Sequence, residues 1–118
     1  MTLYYEDVPA DDNDVPQLPP LLTAVAVASS HDVHDKAIAL AASSEVGTVF
    51  YSEAVDRMHI AVVLSPEVAV ADAGQMLFAM MIAAGDSIGA LAPPEIAVSY
   101  QMPGYILLNK GRAGVVRV

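Results

Sequence analysis

The C-terminal stretch, residues 93–118, constrains the fold more than any other part of the sequence. Residues 95–102 alternate apolar and polar side chains, and residues 105–108 are an apolar run. In residues 112–118, Val116 and Val118 share one face. A Pro-Gly pair separates the first two segments. The Asn-Lys-Gly of residues 109–111 separates the last two, and Asn and Gly tolerate the positive φ of tight hairpins. The pattern predicts three antiparallel strands folded back on one another.

Upstream of this stretch, the pattern alternates between strand and helix. The second helix is apolar along most of its length and is predicted to be buried. The order of elements predicts an α+β fold, with two helices packed on a mostly antiparallel sheet. The predicted elements are a strand (21–28), a helix that starts at residues 29–32 (SSHD) with a hydroxyl cap and ends near Ser43, a hairpin (47–52 and 57–64) joined by residues 53–56, and a long helix (70–91).

Length, charge and composition exclude several kinds of protein. A chain of 118 residues suits one domain, and a hydrophobic content of 55% excludes disorder for most of it. A net charge of −9 argues against nucleic acid as a partner, because phosphate binding needs a basic surface. The absence of cysteine excludes disulfides, thiolate zinc sites and thiol nucleophiles.

The first 20 residues differ from the rest, because they are acidic and rich in proline. Such sequence resists packing, so we predict a tail over residues 1–20 and a domain over residues 21–118. The tail is either a solvated arm or a docking arm with Leu3, Tyr4 and Tyr5 at its apolar end.

Two further sequence features bear on the location of the protein. The acidic N-terminus has no basic region of the kind that opens a signal peptide. The uninterrupted apolar run, residues 76–84, is shorter than the about 20 residues that a membrane span needs. We therefore predict a cytoplasmic protein with no membrane partner.

A histidine pair is the most evident candidate for metal chemistry. His31 and His34 can share one helix face, and Glu45 or His59 could add a third ligand. Nothing in the sequence brings those residues to the pair, however. The alternative is that the neighbouring acidic residues favour a helix N-terminus while the histidines lie in solvent. We predict no metal site.

From residue 27 onward, the order of motifs resembles the catalytic domain of the biotin/lipoate protein ligase family. Residues 29–31 (SSH) stand where that family often has Ser-Thr-Asn before a helix. Residues 47–53 (GTVFYSE) are similar to a GTVVVAE-type strand, and residues 61–67 (AVVLSPE) to an SVVLRPE-type strand. Residues 101–109 (QMPGYILLN) align without a gap to a KWPNDILVN-type segment. Residues 112–116 (RAGVV) match Lys-x-Ala-Gly-Ile-Leu with one residue missing before Ala-Gly.

The resemblance implies where a site would lie. The family's catalytic lysine offsets negative charge on the reacting carboxylate and α-phosphate, and either Lys110 or Arg112 could take its place. Pro103, Asn109, Gly111 and Gly114 are then the candidate ligand-binding residues. We expect no cofactor. If the chain is an active ligase, the resemblance implies ATP and biotin or lipoate.

Several motif positions depart from the family pattern. Gln101 and Met102 replace the Lys-Trp of the second motif, and Gly104 and Tyr105 replace its Asn-Asp. Residues 53–56 stand where family enzymes have a long loop rich in glycine and arginine that closes over the ligand. The chain also ends where the family domain continues.

Three hypotheses for the function follow. The first is a degenerate, non-catalytic member that binds a partner protein or serves as an assembly subunit. The second is a biotin, lipoate or octanoate ligase or transferase directed at an acyl carrier, active alone or completed by a partner chain. The third is a small-molecule or metal-binding module that uses His31 and His34. The lost motif residues favour the first, so the prediction leans against an enzyme.

The last strand also predicts a partner. Residues 112–118 would leave an unpaired strand edge beside apolar Val115, Val116 and Val118, and proteins seldom leave such an edge bare. We predict an oligomer: a homodimer, or a complex with a second protein chain that pairs at this edge.

Overall fold

The computed structural model describes residues 16–54 and 57–118, and the chain divides into two compact units, Met1–Ser65 and Pro66–Val118. The predicted tail therefore lies largely outside the described residues. The first unit contains strands β1 (Thr23–Val27), β2 (Thr48–Ser52) and β3 (Ile60–Val62) and helix α1 (Val33–Leu40). The second contains helices α2 (Val70–Ala73) and α3 (Met76–Leu91) and strands β4 (Val98–Gln101), β5 (Tyr105–Leu108) and β6 (Gly111–Val115).

The α+β class is confirmed, and the strands divide between two three-stranded sheets. In the first sheet, β1 and β2 run parallel, as expected when α1 connects them. The predicted hairpin of β2 and β3 is antiparallel. Its connection is longer than residues 53–56, because β3 begins at Ile60 and pairing starts where the Ser52 N–H donates to the His59 carbonyl at 3.2 Å.

The first unit has a small apolar core between α1 and the sheet. Its buried residues are Val27, Val33, Ala37 and Phe50. Helical spacing in the sequence predicts an apolar stripe of Val33, Ala37, Leu40 and Ala41 on this helix. Val33 and Ala37 are buried, but the prediction is wrong at Leu40, which is 37% exposed, and at Ala41. The α-helix ends at Leu40 and continues as a 3₁₀ turn, Ala41–Ser43, in which no residue is buried.

Ser29 does not form the hydroxyl cap predicted at the start of the first helix. The helix begins as a 3₁₀ turn, Ser30–Asp32, and Ser29 precedes it without a side-chain hydrogen bond to the helix. The turn is closed by the backbone instead, since the Asp32 N–H donates to the Ser29 carbonyl at 3.1 Å.

The long helix of the second unit is not buried, contrary to the prediction. It is interrupted at residues 74–75, between α2 and α3. Within the second unit, α3 buries Met81 and Gly85, whereas Val70 and Leu91 at the two ends of the segment are 93% and 89% exposed. Phe78 and Ile82 are also exposed on α3, at 46% and 55%.

By length and composition alone, Val70–Leu91 could cross a membrane: it has 22 residues and a mean hydropathy of 1.3, with 11% of the tested window buried. A single helix of this kind is weak evidence for a span. The Gly85-Gly89 spacing, which membrane helices use for close pairing, here packs against β4. The absence of a membrane partner stays a prediction.

The second sheet has the order β4-β5-β6 and is antiparallel throughout. One of its faces packs on α3. Tyr100 lies directly against Gly85, where a Cβ would overlap its ring, and Val98 lies beside Gly89. Ile106, opposite Tyr100 in the register, is 3% exposed and shares this face. Because strand side chains alternate, Gln101 and Tyr105 lie on the opposite face, which we call the open face.

Candidate functional site

The candidate site residues lie on the β5–β6 hairpin and on the turn before it. The hairpin connection is shorter than predicted: Asn109 and Lys110 alone form it, and Gly111 already belongs to β6. Both loop residues have positive φ, 49° at Asn109 and 69° at Lys110. Positive φ at both positions is typical of a type I′ turn, whose twist matches that of the paired strands.

Asn109 has a structural role in the hairpin. Its side-chain Oδ1 accepts the Ala97 N–H at 2.9 Å, and its own N–H donates to the Ala97 carbonyl at 2.9 Å. These two bonds fix the turn to the residue that precedes β4. The amide oxygen predicted to shape a ligand pocket is therefore already engaged with the backbone.

The structure separates the two candidate cations. Lys110 lies in the turn and is exposed. Arg112 lies in β6, with its guanidinium carbon 4.2 Å from the centroid of the Tyr105 ring. Its Nε donates to the Gln101 side-chain oxygen at 3.2 Å. Arg112, unlike Lys110, therefore reaches the residue that replaces the motif lysine, and it does so across β5.

A β-bulge places Arg112 on the open face. Ile106 is opposite Gly114, but the next residue, Leu107, is opposite Arg112, so Ala113 is the extra residue of β6. Such a bulge restarts the alternation of side chains between the two faces. As a result both Arg112 and Val115 can lie on the side of Tyr105.

The two glycines of the predicted site, Gly111 and Gly114, differ in their surroundings from Gly104 in the turn before β5. At Gly104, an added Cβ would overlap the Val116 carbonyl oxygen and approach Leu77. At Gly114, a Cβ would meet nothing within 4 Å, and at Gly111 it would meet only the Leu108 carbonyl oxygen, at 3.4 Å. Close backbone approach therefore requires glycine at position 104, which the prediction did not include among the site residues.

Pro103 lies in the turn between β4 and β5, and the Met102–Pro103 peptide bond is cis. The Gly104 N–H donates to the Gln101 carbonyl at 3.3 Å, and the Val116 N–H donates to the Gly104 carbonyl at 2.8 Å. These bonds connect the turn to the last part of the chain, so that Pro103 and Gly104 are held by backbone contacts.

The first unit contains a polar group that the sequence interpretation missed. Ser52 ends β2 opposite Val27 of β1, and alternation places it on the face of Phe50, against α1. Its residue is 9% exposed, and its hydroxyl has no hydrogen-bond partner in the described part of the chain. A signal was present, since a serine two residues after a core phenylalanine in a strand faces the core. Such a position at the carboxyl end of parallel strands is typical of ligand sites.

In the described residues, His31 and His34 do not belong to a group of side chains that could bind a metal ion. Over residues 16–54 and 57–118, no three His, Cys, Asp or Glu side chains come together in a way that could hold a metal ion. Neither Glu45 nor His59 is therefore the third ligand that a site at His31 and His34 would need.

Comparisons with known proteins agree with this fold. The model of the biotin/lipoate A/B protein ligase family matches residues 18–118. The crystal structure of a biotin protein ligase-like protein of unknown function from Silicibacter sp. TM1040 superimposes with a TM-score of 0.77 at 36% sequence identity. The match covers 84% of this chain but 44% of that protein, so the chain spans less than half of its length. No curated protein matches the chain significantly. The chain belongs to the biotin/lipoate A/B protein ligase family.

Proposed function

We propose that this chain is a non-catalytic member of its family that acts as a protein-binding subunit and pairs, through the outer edge of β6, with a second copy of itself. The proposal has two parts, loss of catalysis and gain of a protein contact, and different observations support each part.

The single observation that carries the loss of catalysis is Gly104. This residue stands where the family motif has asparagine, yet a Cβ here would overlap the Val116 carbonyl oxygen. The local backbone is thus packed around a glycine and has no room for the polar side chain of the motif. Asn109, a second motif position, uses its side-chain oxygen to hold Ala97.

The outer edge of β6 supports the protein contact. β6 is the last strand of its sheet and pairs only with β5 among the described strands. The Val116 N–H is directed to Gly104, so alternation directs the N–H and carbonyl of Val115 to the outer edge. Val115 and Val118 are also 52% and 70% exposed. Unpaired backbone groups beside exposed valines favour the addition of another strand.

The exposed side of α3 gives independent support for a protein contact. Phe78 and Ile82 are one turn apart, and Ala79 and Ala83 lie beside them, all exposed. An apolar patch of this kind on a helix is typical of a surface that a protein covers.

An adenylate assay tests the loss of catalysis. We expect no pyrophosphate release from ATP and Mg²⁺ with biotin, lipoate or octanoate, because Gln101, Met102, Gly104 and Tyr105 replace the Lys-Trp and Asn-Asp of the motif. An active biotin ligase run under the same conditions serves as the positive control. Pyrophosphate release that depends on one of the three acids would contradict the proposal.

A specific observation favours a second candidate, an acyl-carrier-directed ligase or transferase completed by a partner chain. Arg112 is fixed on the open face beside Gln101, where it could neutralise an anion as the family lysine does. Acid-dependent pyrophosphate release that is lost on Arg112→Gln would establish this candidate in place of the first.

A further inference from the structure

The exposed side of α3 is apolar along the helix and consists of Phe78, Ala79, Ile82 and Ala83. Its two large side chains are one turn apart and are 46% and 55% exposed, and the alanines beside them are small enough to admit the ridge of another helix. The helix packs on its own sheet through the other side, where Met81 and Gly85 are buried. The exposed side is therefore available to a partner.

The charges around this side all have one sign. From residue 66 to residue 95 the sequence has no lysine, arginine or histidine. The same segment has four acidic residues, all exposed: Glu67, Asp72, Asp86 and Glu95. Asp86 lies one turn after Ile82 and so borders the apolar side chains directly. A partner with cations beside an apolar stripe is complementary to this surface in both charge and polarity.

The same charges argue against a membrane and against a second copy at this side of α3. A helix that lies on a membrane surface has lysine or arginine on its polar face, and anionic lipids repel carboxylates. A membrane-spanning position would separate α3 from Tyr100, whose ring lies directly against Gly85. A contact between the α3 helices of two copies would place acidic residues opposite acidic residues. A basic segment of a different protein meets none of these costs.

We propose that the exposed side of α3 binds a basic amphipathic helix of another protein. The apolar stripe of that helix packs over Phe78 and Ile82, and its ridge fits beside Ala79 and Ala83. Its lysines or arginines approach Asp86. The inference rests on the protein-binding part of the proposed function, for which it names a partner class, and it concerns a surface other than the outer edge of β6.

Fluorescence anisotropy with a labelled model peptide tests the proposal on the full chain. The probe is an amphipathic helical peptide of leucine and lysine, and the control peptide has glutamate in place of every lysine, so both carry the same apolar stripe. At constant ionic strength we expect the lysine peptide to bind saturably and the glutamate peptide to bind at least about tenfold more weakly.

A pair of double variants locates the apolar part of the contact. The Phe78→Ala, Ile82→Ala variant removes apolar surface but keeps the net charge and introduces a good helix former, and it should weaken binding of the lysine peptide by about tenfold or more. Val46→Ala, Met58→Ala is the matched control, because it removes two exposed apolar side chains from the first unit. It should change the binding by less than about twofold.

A pair of single variants locates the charge. Asp86→Asn should weaken binding of the lysine peptide by about two- to fivefold, which is the effect of one exposed ion pair. Glu45→Gln removes the same charge from an exposed position of the first unit and should change the binding by less than about twofold. Both positions are exposed, so this pair remains informative if the double alanine variant of α3 misfolds.

Four results overturn the proposal. The first two are equal binding of the two peptides and equal losses in the α3 variants and their first-unit controls. The third is co-sedimentation with phosphatidylglycerol vesicles that the double alanine variant of α3 loses, since the occupant is then a membrane. The fourth is a lower mass of that variant in light scattering, since the occupant is then a second copy. Val115→Pro, which removes a backbone N–H from the outer edge of β6, should leave peptide binding unchanged, so this inference and the second copy at β6 can fail separately.

Discussion

At Gly104 the turn between β4 and β5 lies against the carbonyl of Val116, and only a residue without a Cβ fits. The resemblance to the ligase motif marked this position as an unexplained loss of asparagine. The physical reason for glycine became visible only with the tertiary contact, because Val116 is distant in sequence. Pro103, by contrast, was predicted from the motif alone and lies where the turn was expected.

Substitution of the glycines tests this account at the scale of single residues. Gly104→Ala should lower the free energy of unfolding by about 1–3 kcal/mol, because the new methyl group overlaps backbone atoms that cannot rotate away. Gly114→Ala is the matched control, since a Cβ there meets nothing within 4 Å and neither glycine has positive φ. It should be neutral or stabilising by up to about 1 kcal/mol. Urea denaturation measures both, and equal effects would contradict the packing argument.

At the scale of elements, the sequence predicts what is encoded locally. The bounds of β5 match the prediction, because turn residues stand on both sides of a short apolar run. The bulge at Ala113 was not predicted, since it depends on the register between β5 and β6. The exposure of Phe78 and Ile82 on α3 depends on what lies beside the helix, because an apolar pattern indicates that a face packs but not what covers it. The contact of Arg112 with Gln101 depends on three strands together and has no local signal.

The β5–β6 turn allows a prediction about element stability. Lys110 has a φ of 69°, where a side chain with a Cβ costs about 1–2 kcal/mol relative to glycine. Lys110→Gly relieves this cost but also increases the conformational entropy of the unfolded chain, which offsets part of the gain. The net effect should be a stabilisation of about 0.5–1 kcal/mol. Lys110→Ala removes the same charge but keeps the Cβ, so it should give no such gain. Thermal unfolding compares the two, and equal melting temperatures would contradict the prediction.

At the scale of the whole molecule, family and fold class could be predicted from the order of motifs, and the function could not. The solved structure that shares this fold is more than twice as long as its segment that aligns with this chain. On this chain, apolar side chains are exposed on α3 and beside the outer edge of β6. The proposed second copy at β6 follows from backbone groups rather than from a side-chain motif. A substitution that removes a backbone N–H from this edge is therefore the appropriate test of the dimer.

The last prediction is that the chain forms a dimer through the outer edge of β6. Val115 directs its N–H to that edge, so Val115→Pro removes one outward donor and leaves the bonds to β5 intact, which is the place where a strand tolerates proline. Val115→Thr is the matched control, because it keeps the N–H and a β-branched side chain. Light scattering behind a sizing column should give about twice 12.3 kDa for the wild type and the threonine variant at high micromolar concentration, and a monomer for the proline variant. Circular dichroism checks that all three retain their strands. A wild-type monomer, or a dimer that the proline leaves unchanged, would show that this edge does not pair with a second copy.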